Sequence, residues 1–408
     1  MIRRKTETRG RYDVGVYEVD IDVDMRRDAL QFAKDIILSD NQYSRLLPEN
    51  IKNSNDVSTQ QKIEIQRTYM GKLGEIVFLK LLNSKGKIVN TQGMFEIYES
   101  GVFKAGDADV IIGGPPCQGF SMAGARIRTG FIDDPRNYLF KHYFNVVKTV
   151  KPKAFVMENV KGIMTMQDGK IFEEILRIFS DAEMLDGKPY NIHYKVVKAA
   201  EFGVPQKRER MIIIGTQVSG FDFENIWEQT KQDIIMEYPH YFDAVTIEDA
   251  IGNLGATTAD GNIENPAPIS EYQKYLASEG AELSNHTKTN HSRVAVDRMS
   301  RVANGENFTS LEETINSVHS GSYGRLCWDE QAPTITTRFD TPAGGRFIHP
   351  VENRTLSPRE AARIQSFPDN FVFYGNKTSI CKMIGNAVPP KVSYFLACLV
   401  NKILELEV

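Results

Sequence analysis

Three short segments of this sequence could supply a nucleophile, an acid and a paired-arginine site. Cys117 lies in GGPPCQGFS, residues 113–121, where two glycines let the backbone approach a ligand and two prolines stiffen the turn. Glu158 directly follows the apolar run FVM. Arg208 and Arg210 flank one residue just before MIIIG, and the period-two alternation of a strand predicts that both point to one face.

Each of these features also has a purely structural interpretation. A lone cysteine is commonly a small buried apolar residue, an acid at a strand end often caps the next turn, and KRER can be a solvated charge run. What favours chemistry is that all three occur together, each at the edge of one predicted sheet.

The elements that position these residues alternate between strand-like and helix-like patterns. DADVIIGG, AFVMENV, YKVVKAAEF and RMIIIGT resemble strands, whereas NYLFKHYFNVVKTV and IFEEILRIFSDAEM have helical spacing. We therefore predict an α/β fold with a doubly wound, mostly parallel sheet covered by helices on both faces. Ligands of such sheets bind at the carboxyl ends of strands, where Cys117 and Glu158 lie.

A capping box is predicted near the C-terminus, in RTLSPREAARIQ. Ser357 would be the N-cap, Pro358 the first helical residue and Glu360 the reciprocal partner of the cap. We expect a purely architectural role for this helix.

Residues about 107–390 resemble the cytosine-5 DNA methyltransferase family. The blocks that carry the resemblance occur in the family's order: GGPPCQGFS, DDPRNYLF, MENVKG, FGVPQKRERMIIIG, RLCWDEQAPTITTR, HPVENRTLSPREAARIQSFPDNF and IGNAVPP. The resemblance implies the fold of an S-adenosylmethionine-dependent methyltransferase with a smaller, irregular target-recognition domain.

The resemblance also implies a mechanism on cytosine. The Cys117 thiolate would add to carbon 6, so that carbon 5 could take a methyl group from S-adenosylmethionine. Glu158 would hold and protonate the nitrogen-3 edge, and Arg208 and Arg210 would hold the ring carbonyl or a nearby phosphate. Since a stacked base cannot present carbon 6 to a thiol, the target cytosine must be flipped out of the duplex.

Further contacts follow from the same resemblance. Substrate contacts are assigned to Gln118, Ser121, Asn159 and Gln206. Cofactor contacts are assigned to Gly114, Pro116, Leu139 and Asn386. Asn386 could instead be an ordinary turn residue. No metal site is predicted.

The chain departs from the family at its N-terminal end. The glycine-rich FxGxGG block that normally holds the cofactor is absent from all 408 residues. The chain would therefore be completed either by an unusual N-terminal solution or by a second subunit that supplies the block, and we expect the chain alone to bind S-adenosylmethionine poorly. Residues 61–100 weakly resemble the start of a restriction endonuclease domain, but no D...ExK core follows.

Four regions are predicted: an atypical N-terminal region at 1–102, a catalytic domain at 103–244, a target-recognition domain at 245–345, and a C-terminal segment at 346–408 that returns to the catalytic domain. The net charge of −4 conceals an uneven distribution, because residues 216–322 carry 6 Lys+Arg against 17 Asp+Glu. A polyanion must meet basic groups elsewhere, and we expect the acidic residues to form a solvated back face.

Composition favours a cytoplasmic protein. Four scattered cysteines support neither a disulfide framework nor a zinc site. No apolar run approaches the roughly 20 residues that span a bilayer, so no membrane partner is expected.

The preferred interpretation is a DNA (cytosine-5-)-methyltransferase of a restriction-modification system, acting on double-stranded DNA. The alternative is a non-catalytic or partner-dependent DNA-binding fragment without its own cofactor site. An RNA substrate is a third possibility, because the cysteine chemistry applies equally to tRNA.

Overall fold

The computed structural model describes residues 2–9, 12–19, 105–115, 139–277, 282–313, 315 and 319–406, together with single residues between 24 and 31. For residues 2–9, 12–19 and 139 the description covers the backbone only. The chain divides into two units after Lys104, and each is described by itself.

The first unit contains an antiparallel strand pair. Strand β1 (Ile2–Arg9) pairs with β2 (Tyr12–Val19) in a register that runs from Ile2 opposite Val19 to Arg9 opposite Tyr12. Apolar residues at helical spacing also predict helices over residues 26–38 and 71–86. A few helical residues between 24 and 31 are described, and residues 71–86 lie outside the described residues.

The second unit contains the sheet that was predicted from the strand-like runs. Its strands are β3 (Val110–Gly113), β4 (Ala154–Val160), β5 (Asn191–Lys198) and β7 (Glu209–Thr216), and a short strand β6 (Gln206–Lys207) pairs in parallel with β8 (Ala332–Pro333). The helices are α1 (Leu139–Val150), α2 (Lys170–Ser180), α3 (Phe223–Glu237), α4 (Ile247–Ile251), α5 (Glu271–Leu276), α6 (Arg293–Arg301), α7 (Pro358–Ile364), α8 (Lys377–Asn386) and α9 (Pro390–Glu405).

Among the described strands, the directions do not confirm the expectation of a mostly parallel sheet. In the order β3-β4-β7-β5, the pair β3/β4 is parallel, whereas β4/β7 and β5/β7 are antiparallel. Only residues 199–208 separate β5 from β7, which is fewer than the dozen or so that a parallel crossover needs. The described strands therefore form a mixed sheet.

Helices cover both faces of this sheet. Alternate residues of β4 point to opposite sides, as a strand requires. Ala154 and Val156 pack in one hydrophobic cluster with residues of α3 and α9, whereas Phe155 and Met157 pack in another with residues of α1 and α2. The sheet is thus the middle layer of three, and its neighbouring strand ends lie between the helical layers.

Local sequence explains where several helices begin. Asp222 caps α3 by accepting hydrogen bonds from the backbone of the first turn. At α7 both halves of the predicted capping box are present: the Ser357 hydroxyl accepts from the Glu360 N–H, and the Glu360 carboxylate accepts from the Ser357 N–H. This prediction is confirmed, and Pro358 is the first helical residue.

A separate hydrophobic core lies in the C-terminal half of the chain. It unites buried residues of α4, α5, α7 and α8 with residues such as Leu326, Ile335 and Phe347. Buried residues between 356 and 384 therefore pack with buried residues between 245 and 347. Helix α9 packs instead on the sheet.

The acidic side chains of α3 lie at the surface. Glu224 pairs with Lys195, and Asp233 pairs with Lys402 of α9. Part of the acidic excess thus lies on a solvated helix that covers the sheet. Among the described residues no single helix is long and apolar enough to cross a membrane, and only the bent pair α8 and α9 meets that criterion jointly.

Candidate active site

An ion pair joins the predicted acid to one of the predicted arginines. The Arg210 Nε lies 2.7 Å from Oε1 of Glu158, and the two side chains are 18% and 19% exposed. The register of β4 against β7 places Val160 opposite Arg210, so Glu158 lies two residues away along the neighbouring strand. Burial lowers the pKa of Arg210, and the charge of Glu158 opposes that shift.

Gly114 leaves room for this carboxylate. A Cβ at position 114 would lie 3.0 Å from Oε2 of Glu158, which is tighter than ordinary van der Waals contact. The glycine after β3 therefore lets the backbone pass close to the acid.

Asn159 holds the backbone at Pro115, two residues before the predicted nucleophile in the sequence. Its Nδ2 donates to the carbonyl of Pro115 at 3.0 Å, and its Oδ1 accepts from the Val160 N–H at 2.9 Å. The side chain is buried. The geometry therefore ties β4 to the backbone two residues before Cys117, a contact different from the substrate contact expected for Asn159.

Arg208 is engaged by backbone carbonyls rather than by the Glu158 carboxylate. Its guanidinium donates to the carbonyls of Ile335, Gly385 and Ala387 at 3.2, 3.2 and 2.9 Å, and the residue is 2% exposed. Burial, reinforced by the charge of Arg210, lowers the pKa of Arg208 to about 9, while Glu158 opposes the shift. Of the two predicted arginines, Arg210 therefore pairs with Glu158. Arg208 instead links the chain just before β7 to the backbone near Ile335 and to the backbone at residues 385–387.

Gln206 is a buried connector. Its Nε2 donates to Oε1 of Gln365 at 2.8 Å, and its Oε1 accepts from the Ile335 N–H at 2.8 Å. Both polar atoms of the Gln206 amide, which we expected to contact substrate, are therefore hydrogen-bonded to other residues of the chain. Sequence spacing does not reveal such partners, because they lie more than a hundred residues away.

Asn386 lies where two concave surfaces meet. The first, here called the edge groove, has a volume of about 750 Å³ and is lined by residues of β3, β4 and α9. The second, here called the basic cleft, has a volume of about 1210 Å³ and lies between the loop after β4 and residues 334–344. Asn386 lines both, at the C-terminal end of α8.

The basic cleft contains cations besides the predicted catalytic arginines. Lys161, Lys198, Lys207 and Arg338 line it together with Arg210. Lys161 pairs with Glu209 at 3.0 Å. The signal was present in the sequence, since Lys161 and Arg338 stand within the MENVKG and TITTR blocks. A cleft with this charge suits a polyanion.

Several predicted residues lie outside the described residues. They are Pro116, Cys117, Gln118 and Ser121, and for Leu139 only the backbone in α1 is described. Of the expected cofactor contacts, Gly114 and Asn386 line the edge groove together with Glu158.

Comparison with known proteins decides the family. The model of the C-5 cytosine-specific DNA methylases matches residues 47–402. The chain belongs to this family. Type II methyltransferase M1.HphI of Haemophilus parahaemolyticus is 36% identical over 289 residues, covering 71% of this chain and 67% of that protein. Type II methyltransferase M.DdeI of Desulfomicrobium norvegicum is 32% identical over 315 residues, covering 71% and 72%.

A solved structure agrees with this assignment. This C-5 cytosine-specific DNA methylase resembles a candidate DNA modification methyltransferase from an E. coli prophage, with a TM-score of 0.52, 26% identity, and coverage of 73% of this chain and 79% of that chain. The mixed α/β fold is thus shared with a protein of the same kind.

Enzymes of this family use S-adenosylmethionine as methyl donor. The edge groove fits such a group in size, because small-molecule sites occupy about 300–1,000 Å³. Polar groups contribute to its lining, among them Glu158, which lies beside Gly114 directly after β3. The edge groove therefore fits the cofactor in size.

Proposed function

We propose that this DNA methylase transfers a methyl group to carbon 5 of a flipped-out cytosine through a covalent adduct with Cys117. The observation that carries the proposal is the Glu158–Arg210 pair beside the backbone that Asn159 holds. It places an acid and a cation next to Gly114, which precedes Cys117 by three residues in the sequence, and the proposed chemistry needs both groups.

Glu158 and Arg210 would act on the ring. Glu158 would share a proton with nitrogen 3 as the Cys117 thiolate adds to carbon 6, which avoids a high-energy anion. Arg210 would orient the Glu158 carboxylate through Nε and hold the ring carbonyl through its remaining donors. S-adenosylmethionine, when bound, supplies the activated methyl group.

The other predicted residues divide into contacts and supports. We assign Gly114 and Asn386 to one wall of the cofactor site, with Pro116 and Leu139 as further candidates. We assign Arg208, Gln206 and Asn159 to positioning, because their polar groups contact the chain itself. Gln118 and Ser121 stay candidates for substrate contact.

DNA would enter by the basic cleft. Lys161, Lys198, Lys207 and Arg338 would meet backbone phosphates, and the residues about 245–324 would read base edges as a recognition domain. Relatives named as Type II methyltransferases favour double-stranded DNA and a restriction-modification role, in the cytoplasm.

The doubly wound sheet would be completed beyond β3. No FxGxGG block occurs in the sequence. We therefore propose that the cofactor site is completed either by an unusual N-terminal solution within this chain or by a second subunit that supplies this block. The alternative remains a DNA-binding fragment that holds no cofactor.

A trapping experiment tests the proposal. DNA carrying 5-fluorocytosine cannot lose its carbon-5 substituent after methyl transfer, so an active preparation should form a covalent complex that Cys117→Ser abolishes. The matched control is Cys398→Ser, a thiol on α9. A complex that persists in Cys117→Ser contradicts the assignment, and labelling of tRNA instead of DNA would favour the RNA alternative.

A further inference from the structure

Tyr143 of α1 contacts both strands whose ends lead to the proposed chemistry. Its hydroxyl oxygen lies 3.2 Å from the carbonyl oxygen of Ile111 on β3 and 3.0 Å from that of Val156 on β4. Val156 precedes Glu158 by two residues, and Ile111 precedes Gly113 by two. Because the hydroxyl proton can be donated to either carbonyl, one side chain bridges this parallel strand pair near its carboxyl end.

The ring of Tyr143 lies directly against the backbone at the end of β3. A Cβ at position 113 would lie 2.6 Å from Cε2 of the ring, so close that one of the two groups would have to move. Gly113 therefore leaves room for the tyrosine ring. Gly114, the next residue, leaves room for the Glu158 carboxylate. The two adjacent glycines thus have different partners, one on each side of the chain.

Tyr143 supports these strands from the face of the sheet opposite to the acid. It packs in the hydrophobic cluster that contains Phe155 and Met157. Glu158 follows Met157, so the alternation of β4 directs its side chain to the other face, where it lines the edge groove. Among the described residues that line the edge groove and the basic cleft, Tyr143 does not occur. Tyr143 therefore acts on the site through the backbone that it holds.

Burial keeps the Tyr143 hydroxyl in its donor form. It raises the pKa of Tyr143, and the charge of Tyr190 adds to the rise. At neutral pH the hydroxyl thus keeps the proton that it donates to the strand carbonyls.

We propose that Tyr143 is a positioning residue that fixes the ends of β3 and β4 relative to each other. It sets the distance between Glu158 and the backbone that leads to Cys117. Asn159 holds the same backbone at Pro115, so Tyr143 supplies a second tie. The proposal rests on the proposed function, in which the thiol and the acid act on one ring. A displacement of about 1 Å can cost about a hundredfold in rate.

Tyr190 provides a matched control. Its hydroxyl donates to the carbonyl of Pro152 at 2.7 Å, just before β4 begins at Ala154. The rings of Tyr143 and Tyr190 both pack on Phe155, with centroids 6.0 and 5.1 Å away. Tyr190→Phe therefore removes a hydroxyl from the same cluster and the same strand, at the end far from Glu158.

Covalent trapping with 5-fluorocytosine DNA tests the positioning role. We expect Tyr143→Phe to lower the trapping rate per folded molecule, and kcat for methylation, by at least about tenfold. The KM for DNA should stay within about twofold, because no DNA contact is lost. Tyr190→Phe should change each of these quantities by less than about twofold. Equal trapping rates in the two variants, or a Tyr143→Phe defect confined to KM, would overturn the proposal.

Gly113→Ala displaces the same ring by a different route. It should slow trapping in the chain that has Tyr143. In the Tyr143→Phe background it should slow trapping by a smaller factor, because the hydroxyl that it displaces is already gone. Factors that simply multiply in the double variant would contradict the role of the hydroxyl.

Hydrogen exchange separates this proposal from the proposed function. The amides of residues 111–114 should exchange at least about tenfold faster in Tyr143→Phe than in Tyr190→Phe, and this readout does not depend on activity. Equal exchange in the two variants would contradict the positioning role and leave the function intact. Trapping that persists in Cys117→Ser, together with faster exchange in Tyr143→Phe, would contradict the function but not the tie between the strands.

Discussion

Glu158 and Arg210 meet across two neighbouring antiparallel strands, with Oε1 and Nε 2.7 Å apart. The pair is mostly shielded from water, so each charge is oriented by the other. Its position at the end of β4 places an oriented carboxylate next to Gly114.

Replacing the carboxylate should remove catalysis and spare binding. We expect Glu158→Gln to lower single-turnover methylation by about a hundredfold or more, because a positioned acid is lost, with DNA affinity nearly unchanged. Glu209→Gln is the matched control, a partly exposed acid one residue before Arg210 that pairs with Lys161. Equal losses in both variants, or a lower melting temperature that accounts for the loss, would contradict the catalytic role.

The two members of the pair should act as a unit. In a double-mutant cycle of Glu158→Gln and Arg210→Met, we expect a coupling energy of about 0.5–3 kcal/mol in transition-state free energy, since each residue orients the other. Arg210→Lys should not restore activity, because an ammonium lacks the planar fork. Strict additivity would show that the residues work independently.

The Asn159 amide should matter for the nucleophile rather than for DNA binding. Asn159→Ala removes the hydrogen bond to Pro115, and we expect slower covalent trapping together with about 1–3 kcal/mol lost in the free energy of unfolding. Asn191→Ala removes a similar 3.0 Å bond to Val218 on a different strand. Because Asn191 is exposed, that control should lose less stability and keep the trapping rate per folded molecule.

Close backbone packing at Gly385 should forbid a side chain. A Cβ there would lie 2.5 Å from the carbonyl carbon of Thr336, so Gly385→Ala should lower the free energy of unfolding by about 1–3 kcal/mol through overpacking. Gly255→Ala is the control, since nothing lies within 4 Å of its Cβ position. Denaturant unfolding checks both, and a neutral Gly385→Ala would contradict the packing argument.

Acid stability should depend on Glu360. Burial alone would raise the pKa of Glu360, but the hydrogen bonds and charge of Arg354 outweigh it and lower the pKa to about 2. The unfolded carboxyl has a pKa near 4.5. The stabilisation is therefore complete above about pH 4.5 and is lost as the pH falls towards 2.

The matching variants test that pH dependence. Glu360→Gln should cost about 3–5 kcal/mol at neutral pH, because it leaves the buried Arg354 without this partner, and should flatten the acid limb of the stability curve. Glu352→Gln removes a more exposed partner of the same arginine and should cost about 1 kcal/mol or less. Urea unfolding from pH 2 to 7 gives both curves, and parallel curves for the two variants would contradict the assignment.

The sequence by itself determined the local helices and strands, and it showed that a cysteine, an acid and two arginines lie at predicted strand ends. The helix at Ser357 begins where its capping residues dictate, because a capping box is complete within four residues. The strands that carry Glu158 and Arg210 were predicted from short apolar runs, because such a run depends only on neighbouring residues in the sequence. The family motifs indicated which reaction to expect, because the same blocks occur in the same order in cytosine-5 DNA methyltransferases.

Only the tertiary structure decided strand direction and the partners of buried polar groups. The alternation of a strand specifies its faces but not which neighbour it has or in which direction that neighbour runs, so the antiparallel β7 could not be foreseen. Arg208 and Arg210 look equivalent in KRER, yet one binds carbonyls near Ile335 and Ala387 while the other meets Glu158. Those partners lie far along the chain, and a buried donor takes whichever acceptor the folded packing brings within reach.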